Sequence, residues 1–153
     1  MISHFFEEKS PGVFHAKSWN TQLDLESIEE LFKIARLSNN KSRLCLHPNI
    51  YENMQVTYLA FLKPYKDKLH FHPSRSEILI PIIGDAEHRI FDKKGEIVSK
   101  SILSARLKSA ISIESNTVHS LELISSKLLM LEIGSGPFTS ESTIYIKKSS
   151  TDN

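Results

Sequence analysis

The chain lacks most features that would assign it to a specialised class of protein. It has one cysteine, Cys45, which excludes an internal disulfide and favours no oxidising compartment. Nineteen basic and 18 acidic residues leave a net charge of +1, without the excess positive charge that nucleic-acid binding requires. No apolar run reaches the roughly 18 residues of a membrane span, and the N-terminus lacks the basic and apolar segments of a secretion signal. We therefore expect a cytoplasmic protein with neither a nucleic-acid nor a membrane partner.

A length of 153 residues, 40% of them hydrophobic, is typical of one soluble domain. Residues 1–20 contain a Pro-Gly turn and several aromatic side chains, so we interpret them as an irregular arm docked on its own domain or on a partner subunit. Residues 21–40 predict one amphipathic helix that packs on the domain, because Ile28, Leu31, Phe32 and Ala35 recur at helical spacing. Either Asp24 or Thr21 suits its N-cap. The tail, residues 147–153, is polar and predicted to be disordered.

Residues 41–146 change to a pattern of short strands separated by turn residues. The predicted strands are 54–62, 67–72, 77–83, 86–91, 96–103, 110–114, 118–124 and 127–133, with a weaker one at 143–147. Repeated short strands at this spacing are typical of a β-sandwich or barrel and not of a parallel sheet. The sequence therefore predicts an all-β domain preceded by one N-terminal α-helix.

Three histidines and one glutamate in this β region have the spacing of a metal site. His70 and His72 lie two residues apart, so both rings project from the same face of an extended strand. Glu77 opens the next apolar run, which ends at Gly84, and His119 is the candidate for the fourth ligand. Imidazole and carboxylate ligands without thiolates suit one divalent transition metal, Fe(II), Mn(II), Ni(II) or Zn(II). Glu77 either binds the ion directly or hydrogen-bonds a ligating histidine.

The order HxH, four residues, Glu, six residues, Gly resembles the first motif of the cupin superfamily, and residues 113–119 resemble its second motif. Asn116 replaces the usual glycine of that second motif, and asparagine tolerates a left-handed turn well. The resemblance implies a double-stranded β-helix, also called a jelly roll. Cupins commonly pair through barrel faces or exchanged arms, so it also implies a homodimer.

Residues 43–138 resemble the WbuC-type cupin metalloproteins more closely. The matching segments are Arg43-Leu44-Cys45-Leu46-His47, Met54-Gln55, His70-Phe71-His72-Pro73-Ser74-Arg75-Ser76-Glu77, Phe91-Asp92 with Gly95, Glu132, and Gly136-Pro137-Phe138. Proteins of this type are encoded among surface-polysaccharide (O-antigen) genes, so the resemblance implies a small, sugar-derived ligand. This chain has Phe71 where the family usually has a basic residue, and Ser76 where it usually has tryptophan.

Several polar residues are candidates for the remaining parts of a site. Glu132 lies in an apolar run and is a candidate general base if it faces inward, or an ordinary exposed residue if it faces outward. His47 is a second candidate for proton transfer. Arg43 and Gln55 are candidates for substrate binding, or members of a structural network. His88 lies on a sheet face and either packs there or lines the pocket.

Three functional hypotheses follow from these residues and from the resemblance. The first is an isomerase or epimerase that acts on a sugar or sugar nucleotide of surface-polysaccharide synthesis, with the metal as a Lewis acid. The second is an iron-dependent dioxygenase. The third is a non-catalytic ligand-binding or regulatory module whose pocket is organised by the metal. No nucleophile elbow or phosphate-binding loop is present, so the sequence gives no support to a serine hydrolase or a P-loop enzyme.

Overall fold

The computed structural model describes residues 2–146 and places their twelve strands in two sheets. The seven-stranded sheet has the order β1-β2-β3-β4-β11-β6-β9, and the five-stranded sheet has the order β12-β5-β10-β7-β8. All neighbouring strands are antiparallel except β2 and β3. The elements are α1 Ile2–Phe5, β1 Phe6–Ser10, β2 Val13–Ala16, α2 Leu25–Leu37, β3 Lys41–Cys45, β4 Met54–Leu62, β5 His70–Phe71, β6 Glu77–Ile83, β7 Asp85–Phe91, β8 Ile97–Ser104, β9 Ile111–Ile113, β10 Val118–Leu123, β11 Lys127–Ser135 and β12 Ile144–Tyr145.

The main core lies between the two sheets. Strands of the larger sheet contribute Phe61, Leu79 and Met130, and strands of the smaller sheet contribute Leu103 and Leu123, all of them 5% exposed or less. Because side chains alternate along a strand, the residues on the opposite face of the larger sheet form a second cluster against α2. This two-sheet arrangement agrees with the predicted jelly roll.

Helix α2 forms as the periodic pattern predicts. Asp24 is the N-cap residue, and its carboxylate accepts a 2.7 Å hydrogen bond from the backbone N–H of Ser27. Leu31 and Ala35 are fully buried against the outer face of the larger sheet. The helix ends at Leu37, and Ser38 donates a backbone hydrogen bond to the carbonyl of Ala35. No helix of the described residues is long and apolar enough to cross a membrane.

The prediction of an irregular arm over residues 1–20 is wrong for residues 2–16, apart from the predicted turn between β1 and β2. Residues 2–5 form the short helix α1, and β1 and β2 form an antiparallel hairpin whose second strand pairs in parallel with β3. Phe6 is 2% exposed and packs in the cluster beneath α2, so this segment docks on its own chain. The homodimer remains a prediction.

Most predicted strands occur within two residues of their predicted bounds. The strand predicted over residues 67–72 is shorter, because only His70 and Phe71 pair with their neighbours. Strands β1, β2 and β3 are not among the predicted strands. Asn116 adopts φ 63°, the left-handed turn that its position in the second motif predicts. The predicted disordered tail, residues 147–153, lies outside the described residues.

Candidate metal centre

Three histidines lie close together on one face of the smaller sheet. His70 in β5 and His119 in β10 are direct cross-strand partners, and His72 follows His70 by two residues on the same face. One ring nitrogen of each histidine lies within 4.8 Å of those of the other two. His72 and His119 are buried, with 7% and 2% exposure. The structure therefore brings together the three imidazoles that the sequence singles out.

Backbone carbonyls fix the proton on each of these three rings. The Nδ1 atoms of His70, His72 and His119 lie 2.7, 2.8 and 2.8 Å from the carbonyl oxygens of Lys68, Ser142 and Thr117, respectively. A carbonyl oxygen only accepts hydrogen bonds, so Nδ1 carries the proton in each neutral ring and Nε2 keeps its lone pair. That tautomer, oriented by an outer hydrogen bond, is the form in which histidine binds metals.

Glu77, the first residue of β6, lies beside two of these histidines. Its Oε1 atom lies 3.2 Å from His119 Nε2, and its Oε2 atom lies 3.4 Å from His72 Nε2. Burial raises the pKa of Glu77, but the interactions with His119 and His72 outweigh this effect and lower the pKa overall. Oε2 is buried without a hydrogen-bond partner among the described residues, so this carboxylate oxygen is available to an ion.

The donor set fits a divalent transition metal. The three oriented imidazoles form one cluster, a buried carboxylate lies beside two of them, and the sole cysteine of the sequence is not among these residues. Such a set matches the borderline ions Fe(II), Mn(II), Ni(II) and Zn(II). Glu77 is near enough to His72 and His119 either to bind the ion beside them or to hydrogen-bond them.

The histidines of the cluster differ in their electrostatic environments. Burial lowers the pKa of His70, and the charge of Asp67 opposes this only in part. Burial also acts to lower the pKa of His72, but the hydrogen bond and charge of Glu77 raise it overall. His88 lies behind the cluster, 5.5 Å from His119 between ring centroids, and is 1% exposed. It packs on the inner face of the sheet and does not line the cavity described next.

The cluster opens into a cavity of about 420 Å³, a volume typical of small-molecule sites. The larger sheet forms the opposite wall, because alternate side chains of β3 and its continuation, Lys41, Arg43, Cys45 and His47, face the cavity together. Burial lowers the pKa of Lys41 to about 8. The sequence thus lines one small space with both metal-binding and cationic side chains.

Arg43 and Gln55, the two candidate substrate-binding residues, both line the cavity but have different surroundings. The half-buried Arg43 side chain forms no hydrogen bond or ion pair with any of residues 2–146, so its charge is free to meet a ligand. The amide nitrogen of Gln55 donates to the carbonyls of Glu52 at 2.8 Å and Ile50 at 3.3 Å. Gln55 therefore secures the loop at the cavity edge.

Glu132 and His47, the two candidates for proton transfer, also face this cavity. Of the two orientations that the sequence left open for Glu132, the structure has the inward one, with 20% of the side chain exposed. His47 is 2% exposed, and burial followed by the charge of His15 lowers its pKa to about 4. The neutral His47 ring is therefore a weak base at physiological pH.

Arg75 is a site residue that the sequence reasoning missed. Its guanidinium pairs with Glu132, lies 3.9 Å from Glu77 Oε2 and stacks 5.7 Å from the Phe138 ring centroid. It crosses directly over Gly134, where a Cβ atom would lie 2.5 Å from Arg75 Nη2. The signal available in the sequence is the position of Arg75 between His72 and Glu77. Arg75 thus lies beside Glu77 and Glu132, two of the three acidic side chains that line the cavity, the third being Asp67.

No protein-family model matches the sequence, and no curated protein matches it. Solved structures do match the fold. The capsular polysaccharide assembling protein CapF from Staphylococcus aureus superposes with a TM-score of 0.63 at 14% identity, over 72% of this chain and 30% of CapF. Oxalate oxidase, solved with the substrate analogue glycolate, gives 0.57 at 12% identity, over 71% of this chain and 56% of that one.

A third match is oxalate decarboxylase from Bacillus subtilis, a protein with Mn(II) centres. Its TM-score is 0.52 at 19% identity, over 62% of this chain and 24% of that chain. The chain thus spans about a third of the length of CapF and a quarter of this decarboxylase. These neighbours are cupin-fold proteins, and the likeness establishes a cupin fold for this chain.

Proposed function

We propose that this chain is a WbuC-type cupin metalloprotein that isomerises or epimerises a sugar or sugar nucleotide for surface-polysaccharide synthesis. We also assign its two sheets to the double-stranded β-helix that this family implies. One observation carries the functional proposal: the histidine cluster and the unpaired Arg43 face each other across one 420 Å³ cavity. A ligand there can meet a metal at one end and a fixed positive charge at the other.

His70, His72, Glu77 and His119 hold the ion in this proposal. When bound, the ion supplies Lewis-acid chemistry by polarising a carbonyl or hydroxyl oxygen of the ligand. The three backbone carbonyls behind the rings keep every Nε2 lone pair directed inward. Glu77 balances part of the added positive charge, because its ionised form is favoured in the folded protein.

Arg43 anchors the anionic part of the substrate. A guanidinium pairs well with phosphate oxygens, which accept two of its parallel N–H groups. Lys41 lines the same wall and adds a second nitrogen near an anion. The diphosphate of a sugar nucleotide carries the negative charge that would pair with Arg43 and Lys41. The match to a capsular polysaccharide assembling protein supports a ligand from the same area of metabolism.

Glu132 is the residue that we assign to proton transfer. Its carboxylate faces the cavity, and it would remove a proton from the carbon beside a ligand carbonyl and deliver it to the neighbouring carbon on the same face, which isomerises the sugar. The ion pair with Arg75 fixes its position. His47 is the less suitable base because its pKa is lowered to about 4, so we assign it no proton transfer in this reaction.

Ligand binding and solvent exchange test this proposal together. Metal-loaded protein is heated with nucleotide diphosphate sugars, free sugars or oxalate, and substrate turnover is followed by deuterium incorporation from heavy water. We expect a nucleotide sugar to stabilise the wild type by about 2.7 kcal/mol at 100 times its Kd. Arg43→Gln should abolish this effect, whereas Arg36→Gln on the exposed face of α2 should not.

Each remaining outcome identifies a different function. Deuterium incorporation that is lost in Glu132→Gln supports the isomerase or epimerase. Oxygen consumption by the iron-loaded protein instead of exchange would establish the dioxygenase. Stabilisation without turnover would establish the non-catalytic module. Stabilisation by oxalate alone would contradict the sugar assignment.

A further inference from the structure

A second cluster of metal-binding side chains lies on the other wall of the cavity. His15 in β2 and Cys45 in β3 are direct partners across two parallel strands, and His47 follows Cys45 by two residues. All three side chains therefore project from the same face. One ligand atom of each lies within 4.8 Å of those of the other two. Their exposures are 5%, 4% and 2%, so the cluster is buried.

Backbone hydrogen bonds hold both rings of this cluster in place. His15 Nδ1 lies 3.1 Å from the carbonyl oxygen of His47 and so carries the proton, which leaves its Nε2 lone pair free. His47 Nδ1 lies 2.9 Å from the backbone nitrogen of Val56 and 3.1 Å from its carbonyl oxygen. The Val56 N–H donates to Nδ1, so Nδ1 accepts and the neutral His47 ring carries its proton on Nε2, which an ion bound at Nε2 would displace.

The Cys45 thiol is protonated at neutral pH when no metal ion is bound. Its sulfur accepts a hydrogen bond from Thr57 Oγ1 at 3.6 Å, and burial raises the thiol pKa to about 11. An ion displaces that proton: the S–H bond breaks, a sulfur–metal bond forms and the proton leaves to solvent. The surrounding cations, Arg43 above all, favour the thiolate once it forms.

We infer that His15, Cys45 and His47 form a second metal site, selective for a thiophilic ion such as Zn(II). Two imidazoles and one thiolate make a softer set than the three imidazoles and carboxylate of the first cluster. Both clusters line the same cavity. The protein would then hold two chemically distinct ions in one chamber. This inference does not depend on the proposed function, because it concerns different residues and a different ion.

Metal titration of the full chain without a histidine tag tests the inference. Chelator-stripped protein is titrated with Zn(II) alone and separately with Co(II), whose thiolate complexes absorb in the near ultraviolet. We expect about two Zn(II) per wild-type chain and about one in Cys45→Ser or His15→Ala. His4→Ala, which removes an exposed histidine that belongs to neither cluster, should keep both ions.

The Co(II) spectrum identifies which site holds each ion. The charge-transfer band should be present in the wild type and in His70→Ala/His119→Ala, and absent in Cys45→Ser. Zn(II) binding in an unbuffered solution should release about one proton more from the wild type than from Cys45→Ser. One Zn(II) per wild-type chain with no charge-transfer band would overturn the inference. The wild-type spectrum decides this even if a variant fails to fold.

Discussion

Gly134 in β11 offers the sharpest test of how the cavity is built, because it lies directly beneath the Arg75 guanidinium. A Cβ atom at this position would lie 2.7 Å from Arg75 Cζ and closer still to Nε and Nη2. Arg75 is 6% exposed and held by Glu132 and Phe138, so it has little room to move aside. Gly134→Ala should therefore force Arg75 out of its position.

The expected cost of this substitution follows from two effects. Overpacking a filled site costs about 1–3 kcal/mol, and loss of a buried ion-pair partner costs about 3–5 kcal/mol. The carboxylate of Glu132 is partly exposed, which reduces the second effect. We expect unfolding free energy to fall by about 3 kcal/mol, which lowers Tm by about 6–12 °C for a chain of this size.

Urea and thermal unfolding of a double-mutant cycle measure this effect. Arg75→Ala removes the side chain that the new methyl group meets, so Gly134→Ala should cost little in that background. The coupling between the two changes should be about 2 kcal/mol or more. Ser135→Ala, at the exposed neighbour of Gly134, serves as the control. An equal cost of Gly134→Ala in both backgrounds would refute the placement of Arg75.

Two further predictions concern turns and acid stability. Gly84 and Gly95 have similar positive φ values of 81° and 84°. A Cβ atom at Gly84 would overlap the Lys127 carbonyl oxygen, but a Cβ atom at Gly95 would meet nothing within 4 Å. Gly84→Ala should therefore destabilise the fold by about 2 kcal/mol more than Gly95→Ala in urea unfolding; equal effects would contradict this. Burial lowers the pKa of His47 and His88 to about 4, so the unfolded chain binds protons first as pH falls from about 6.5. The free energy of unfolding should decrease as pH falls from about 6.5 to 4, and it should decrease less steeply in His88→Leu. Urea unfolding of metal-free protein at several pH values measures this. The same loss of unfolding free energy in wild type and His88→Leu would count against this assignment.

The sequence predicts the part of the site that local periodicity controls. His70 and His72 share a strand face in any extended conformation, and Glu77 begins an apolar run whose alternation fixes its register. The sequence does not determine the orientation of Glu132, because an apolar run on both sides of a residue does not show which face is the core. The structure settles this through the register of β11 against β4 and β6.

The opposite wall of the cavity was harder to predict. In β3, the alternate residues Lys41, Arg43 and Cys45 face a polar cavity. The strand therefore lacks the apolar inner face by which a strand is normally recognised. His15 lies in the segment predicted to be an irregular arm, so its place in the cavity wall is not predicted. Its pairing with Cys45 depends on a parallel strand contact across about 30 residues, which local patterns do not encode.

The central claim is that the cluster of three histidines and Glu77 binds a metal ion. The most direct measurement is the Mn(II) content of tag-free protein after chelator stripping and reloading, since Mn(II) disfavours thiolate ligands and so reports on this cluster. We predict about one Mn(II) per chain in the wild type and in His4→Ala, and almost none in His70→Ala/His119→Ala. Folded wild type that takes up no Mn(II), Fe(II), Ni(II) or Zn(II), or uptake that is unchanged in the double variant, would contradict the claim.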